Sequence, residues 1–118
     1  MPRFLILPRD VPAEFTALSP EEMQAVVMRY GAWAQSHMEA GRLEIGEKLT
    51  DDGGRILSGA GAELSVTDGP FTEVKEVVGG FWIANCASYD EAVSIMSDCP
   101  HLEWGSIEIR EIEVIDRG

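Results

Sequence analysis

The sequence predicts an α+β fold of the ferredoxin-like, split βαβ type, with one antiparallel sheet and two helices on one of its faces. Three observations lead to this prediction. Over 118 residues, apolar and amphipathic segments follow the order β-α-β, a short insert, then β-α-β. Residues 4–7 and 81–84 are apolar on both faces, as the central strands of such a sheet would be. The second strand has one apolar face, as an edge strand would have. We therefore expect a single domain over residues 1–118.

The first β-α-β unit contains the clearest local signals. Residues 3–7 predict a short strand closed by a proline, and residues 8–18, with two prolines and no periodicity, predict a loop. Ser19 and Glu22 form a capping box around a proline suited to the first helical position, and Gly41 is suited to end the helix. One apolar stripe runs along this helix and consists of Met23, Val26, Val27, Tyr30, Ala34 and Met38.

The remaining elements are predicted from alternation, turn residues and a second cap. They are a one-sided strand at 42–49, a turn at 51–54, a small hairpin at 55–57 and 63–67, a polar loop at 68–80, a strand at 81–86, a helix capped by Ser88 and Glu91, and a strand at 106–115. In the last strand Ile107 and Ile109 share one parity and Ile112 and Val114 the other. That switch predicts a bulge near 110–111 or burial of both faces.

Two helices cover only one face of the predicted sheet. The other face of the central strands, with residues such as Trp82 or Phe81, would then be exposed. Because an exposed apolar patch of that size is a liability, we expect a homodimer in which two copies pack sheet to sheet.

Composition narrows the classes of partner and compartment. Nine basic and 21 acidic residues give a formal net charge of −12, which opposes binding to nucleic acid and to membrane surfaces. The apolar run near the start is too short for a signal core or a membrane span, so a cytoplasmic location is expected. Cys86 and Cys99 are expected to be small buried hydrophobes in a reducing compartment.

The densest group of unusual residues lies at 67–76. A turn around Gly69 and Pro70 would hold the carboxylate of Asp68 as a candidate catalytic group. Nearby charged residues are candidate substrate contacts, namely Glu73, Lys75 and Glu76. The alternative is that Asp68 only bonds amides of its own turn.

The other candidates are single residues. His37 falls about 40° from Met23 on the helix and points toward the sheet, where it would be a core residue or, beside a carboxylate, a general base. Glu47 and Trp82 are candidate substrate contacts on strands, Glu47 being otherwise an edge-strand charge. Arg110 would either bind an anionic substrate group or pair with Glu73 or Glu76.

No metal or cofactor is expected. His101 follows Cys99 at a spacing that fits no closed zinc pattern, and the sequence contains no phosphate-binding, dinucleotide-binding or nucleophile-elbow motif.

Several segments together resemble the DGPF-domain branch of the YCII-related proteins. They are residues 46–49, 67–76, 79–83, 91–92, 99–100 and 105–110. The resemblance implies a dimeric α+β barrel. It implies no settled activity, although members of the branch are often encoded beside extracytoplasmic-function sigma factors. The wider superfamily is suspected of small-molecule enzymology with a His–Asp pair in a cleft, but the family histidine would fall near Tyr30 and Gly31, where this chain has none.

Two functions are therefore expected. One is cofactor-independent acid–base catalysis on, or binding of, a small molecule, in a cleft lined by Asp68, Glu47, His37 and Trp82. The alternative is a non-catalytic regulatory or partner-binding module linked to sigma factors. Fold resemblance decides neither.

Overall fold

Two sheets and two helices are built from the described residues of the computed structural model, which are 1–10, 18–50, 52–69 and 77–116. The elements are β1 (Arg3–Asp10), α1 (Pro20–Glu39), β2 (Leu43–Lys48), β3 (Arg55–Ser58), β4 (Ser65–Asp68), β5 (Val77–Val78), β6 (Gly80–Asn85), α2 (Tyr89–Met96) and β7 (Gly105–Glu111). Short 3₁₀ turns lie at Gly61–Glu63 and Pro100–Glu103.

The main sheet is antiparallel and has the order β2-β6-β1-β7, with β5 pairing the end of β1 on the side of β6. The predicted α+β class is confirmed, with β1 and β6 central and β2 at an edge. The predicted hairpin insert is present as β3 and β4, which form a separate two-stranded sheet.

The core lies between the sheet and the helices. Phe4 of β1 pairs with Ala84 of β6, and both side chains are fully buried. Together with Ile6 they pack against Ala92, Ile95 and Met96 of α2. Burial of a large apolar side chain contributes about 1.5–3 kcal/mol, so this layer holds α2 against the central strands. Both cysteines are buried and free, as predicted.

α1 begins as its sequence predicts. Ser19 Oγ accepts the Glu22 amide at 3.1 Å, and the Glu22 carboxylate accepts the Ser19 amide at 3.1 Å. Gly41, with φ of +76°, follows the helix in the left-handed conformation that glycine adopts most readily. Only part of the predicted stripe is packed, because Val26 is buried while Val27 and Met38 are exposed.

Two predicted strand limits and one predicted bulge are wrong. The last strand, predicted over 106–115, ends at Glu111. β1 does not stop at Pro8 but continues to Asp10. Proline has no N–H to donate, but Pro8 lies beside the break between β5 and β6, where the hydrogen-bond ladder is already interrupted, and its carbonyl still accepts the Gly79 amide. The predicted bulge near 110–111 is absent, since β7 pairs in continuous register to Glu111. Both Val114 and Ile115 beyond it are exposed, so burial of both faces does not explain the parity switch either.

A bulge occurs instead in β2, between Leu43 and Ile45. Leu43 pairs with Ala84 and lies on the helix side, whereas Glu47 pairs with Phe81 on the opposite side. Trp82 pairs with Ile6 and therefore also lies on the helix side, so that of the two residues predicted for the uncovered face, Trp82 or Phe81, it is Phe81 that lies there. We call the side away from the helices the open face; its apolar residues are Leu5, Leu7, Ile45, Phe81 and Ile83.

Neither described helix is both long and apolar enough to cross a membrane.

Candidate functional site

One side of α1 holds the segment that follows α2. Side chains at helix positions 29, 30, 33 and 37 reach this segment, and their spacing places them along one stripe of the helix. The pairs are Arg29 with Glu103, Tyr30 with His101, and both Trp33 and His37 with Asp98.

At the buried end of this stripe, three polar side chains lie within contact distance of one another in series. The Tyr30 hydroxyl lies 3.1 Å from His101 Nδ1. His101 Nε2 lies 2.9 Å from the Arg9 carbonyl oxygen and 3.3 Å from Asp10 Oδ1. The side chains of His101 and Asp10 are only 4% and 14% exposed, so water screens this pair weakly. We call Tyr30, His101 and Asp10 the relay.

The contacts of His101 fix its neutral tautomer. A carbonyl oxygen only accepts, so Nε2 carries the proton that is donated to Arg9. Nδ1 then accepts the Tyr30 hydroxyl proton. Burial is the main cause that raises the pKa of Tyr30 above its usual range, so the hydroxyl keeps its proton at neutral pH.

Two glycines allow the backbone to close around the relay. A Cβ at Gly79 would overlap the Asp10 carboxylate. A Cβ at Gly105 would overlap the Arg9 carbonyl and stand 3.0 Å from His101 Nε2. Gly79 therefore has a local steric reason in the folded chain.

A second cluster surrounds His37. Arg42 Nε donates to His37 Nδ1 at 2.8 Å, and Asp98 Oδ1 lies 3.8 Å from Nε2. The Trp33 indole donates to Asp98 Oδ1 at 2.9 Å and packs against the rings of His37 and Trp82, with centroids at 4.6 and 5.3 Å. Trp82 in turn lies where a Cβ at Gly46 would stand.

This second cluster has a structural role, because its side chains bond and pack against one another. Burial, followed by the Arg42 guanidinium, lowers the pKa of His37, while Asp98 acts in the opposite direction. His37 is thus held neutral, with Nδ1 already occupied by Arg42. The carboxylate that it meets belongs to Asp98.

The other predicted residues are dispersed. Asp68 lies at the end of β4, with its side chain 85% exposed and 3.3 Å from Arg55 across the hairpin. Glu47 and Arg110 lie on the open-face side of their strands, and Arg110 contacts Glu108 at 3.4 Å. The predicted contacts Glu73, Lys75 and Glu76 lie outside the described residues.

The relay was missed by sequence reasoning for specific reasons. The sequence places Asp10 in a loop, because the first strand is expected to stop at Pro8. The spacing from Cys99 presents His101 only as a possible metal ligand. The available signal was the family resemblance, which placed a functional histidine near Tyr30; here a tyrosine stands in that region and meets a histidine from another element. Within the described parts of the chain, no group of three or more His, Cys, Asp or Glu side chains could hold a metal ion.

The chain is similar to known proteins both in sequence and in structure. The family described as the YCII-related domain matches residues 2–116. An uncharacterised protein of Rhizobium meliloti (strain 1021), R00369, is 32% identical over 106 residues, covering 87% of this chain and 86% of that protein. A solved structure of 5-chloro-2-hydroxyhydroquinone dehydrochlorinase (TftG) from Burkholderia phenoliruptrix AC1100, in complex with 2,5-dihydroxybenzoquinone, is similar at 19% identity and a TM-score of 0.47, covering 98% of this chain and 95% of that chain.

Proposed function

The chain belongs to the YCII-related family, and we propose that it carries out acid–base chemistry on a small molecule at the relay. The observation that carries the proposal is the Tyr30 hydroxyl 3.1 Å from His101 Nδ1, with Asp10 3.3 Å from the other ring nitrogen. A hydroxyl, an imidazole and a carboxylate in series are the groups that general acid–base catalysis uses.

The proposed step is a proton abstraction. The Tyr30 oxygen takes a proton from a substrate C–H bond beside a carbonyl while its own proton passes to His101 Nδ1. The electron pair of the C–H bond then forms the enolate, and the imidazolium is balanced by Asp10. Return of the proton to the same or a neighbouring atom gives exchange or isomerisation.

Two features support this assignment over a purely structural role. The relay is assembled from β1, α1 and the turn after α2, and at Gly79 and Gly105 the backbone lies so close to it that a Cβ would overlap Asp10 or the Arg9 carbonyl. His37, in contrast, has the Arg42 guanidinium 2.8 Å from Nδ1 and Asp98 only at 3.8 Å from Nε2, so a neighbouring positive charge opposes a proton on its ring.

The experiment is hydrogen–deuterium exchange followed by proton NMR. Acetone, pyruvate and 2-oxobutanoate are incubated with the protein in D₂O, and loss of the signal beside each carbonyl is timed. We expect faster exchange of at least one probe with the wild type, and a loss of about a hundredfold or more in Tyr30→Phe and His101→Gln.

Tyr89→Phe is the matched control, because that tyrosine hydroxyl accepts the Glu111 amide away from the relay. His37→Gln and Asp68→Asn test the two residues that the sequence predicts as catalytic, and the proposal expects both variants to retain exchange. If no probe exchanges faster with the wild type than with His101→Gln, the proposal is wrong. The regulatory alternative would then be favoured.

A further inference from the structure

The outward side of α1 has an unusual composition. At 100° per residue, positions 24, 27, 28, 31, 34, 35 and 38 span an arc of about 120°. We call this arc the neutral face; its residues are Gln24, Val27, Met28, Gly31, Ala34, Gln35 and Met38. None of them is charged, although the chain as a whole has a formal charge of −12. The outward side of an amphipathic helix normally carries most of its charged residues.

The neutral face is exposed rather than packed, apart from Ala34, which is half-buried. Val27 and Met28 are 60% and 67% exposed, and Met38 is also exposed. The buried side of the helix lies elsewhere, around Val26 and His37. Apolar surface therefore extends well beyond what contact with the sheet requires.

Gly31 stands at the middle of the neutral face, and the folded chain gives no reason for it. Its backbone is helical and a Cβ there would meet nothing within 4 Å. Glycine inside a helix is destabilising relative to alanine, so a residue with a side chain would suit the isolated chain better. A close approach of another backbone at this point would account for it.

We propose that the neutral face pairs with the neutral face of a second copy of this chain, crossing at Gly31. A second copy fits on charge, since two surfaces that each carry a large negative charge approach most easily where both are neutral. It also fits in shape, because Met28 and Ala34 lie three residues to either side of Gly31, so that a large side chain can face a small one across a two-fold axis.

The area of the neutral face determines how tightly two copies are expected to bind. Residues 24–38 span about 21 Å of the helix at 1.5 Å per residue, so a strip about 10 Å wide offers about 200 Å². A stable interface needs about 800 Å² from each partner. The pairing should therefore be weak and depend on concentration, and it should strengthen with salt, which screens repulsion between the acidic copies.

Sedimentation velocity from micromolar to millimolar protein, at low and high salt, tests the proposal. The wild type should move toward twice its low-concentration mass, more so at high salt. Gly31→Leu should keep the low-concentration mass and lose the doubling, yet have a higher melting temperature because leucine is the better helix former. Those opposite changes separate a contact from a folding defect.

Ala32→Leu is the matched control, because residue 32 is exposed on the same helix about 100° away. It should retain the doubling. Under mild oxidation Gly31→Cys should form a covalent dimer and Ala32→Cys should not, because only residue 31 lies at the proposed crossing. Both native cysteines are buried, so they should not form a disulfide between copies. A wild-type mass that does not change with concentration, or equal behaviour of the leucine variants at 31 and 32, would overturn the proposal.

Discussion

At the scale of single residues, exposure decides which candidate side chains can matter for stability. Asp68 and Arg55 face each other across β3 and β4 with both side chains largely in water. An ion pair in that setting contributes little to the free energy of unfolding.

Asp68→Asn and Asp68→Ala should therefore each change the free energy of unfolding by about 0.5 kcal/mol or less, measured by urea titration. A loss in Asp68→Ala alone would instead favour the role in which the side chain bonds amides of its own turn. Loss of probe exchange in Asp68→Asn at unchanged stability would favour the catalytic role and move the site away from the relay.

His37 predicts a pH dependence whose direction follows from its surroundings. Its pKa in the folded protein is lowered from 6.5, so the unfolded chain binds the proton more readily. The stability contributed by neutral His37 is complete above about pH 6.5 and is lost as the pH falls toward the lowered pKa.

Urea titrations from about pH 5 to pH 8 should show this loss in the wild type, with a slope of up to about 1.4 kcal/mol per pH unit. His37→Gln should flatten that part of the curve because it cannot take up the proton. The same slope in His37→Gln as in the wild type would contradict the assignment.

At the scale of elements, the start of β7 depends on a close approach to β1. Gly105 pairs with Asp10, and a Cβ there would overlap the Arg9 carbonyl. Gly105→Ala should lower the free energy of unfolding by about 1–3 kcal/mol, because the two strands must separate. Gly31→Ala is the matched control. Because a Cβ at residue 31 would stand in open space, this substitution should raise the free energy of unfolding by about 0.5–1 kcal/mol. Thermal unfolding of both variants checks the pair, and a stable Gly105→Ala would show that β7 can move.

At the scale of the whole molecule, the open face is what a single copy leaves uncovered. Its apolar side chains lie on three adjacent strands, and Ile45 remains exposed. In agreement with the prediction from the sequence, we propose that a second copy packs on this face sheet to sheet and completes a barrel.

Light scattering at micromolar concentration should then give a dimer mass for the wild type. Ile83→Asp, in the centre of the open face, should give a monomer mass because a buried unpaired carboxylate is costly. Leu57→Asp on the exposed hairpin is the control and should leave the dimer intact. A monomer mass for the wild type would remove both the dimer and the barrel.

The sequence by itself determined the elements and their order. Ser19 with Glu22 and Ser88 with Glu91 mark helix starts through hydrogen bonds between near neighbours. The alternation in β2 marks a strand, although the bulge places Leu43 and Ile45 on opposite faces and the predicted single apolar face is wrong. These signals are local, because each depends on residues within one turn or one strand, so the fold class could be predicted without coordinates.

Only the tertiary structure decided which side chains meet. One bulge in β2 moves Glu47 to the open face, because strand side chains alternate and a single extra residue reverses every later one. Asp10, Tyr30 and His101 come from three elements far apart in the chain, and no spacing in the sequence links them. Their meeting depends on how α1 and the turn after α2 pack on β1, which the pattern of neighbouring residues does not encode.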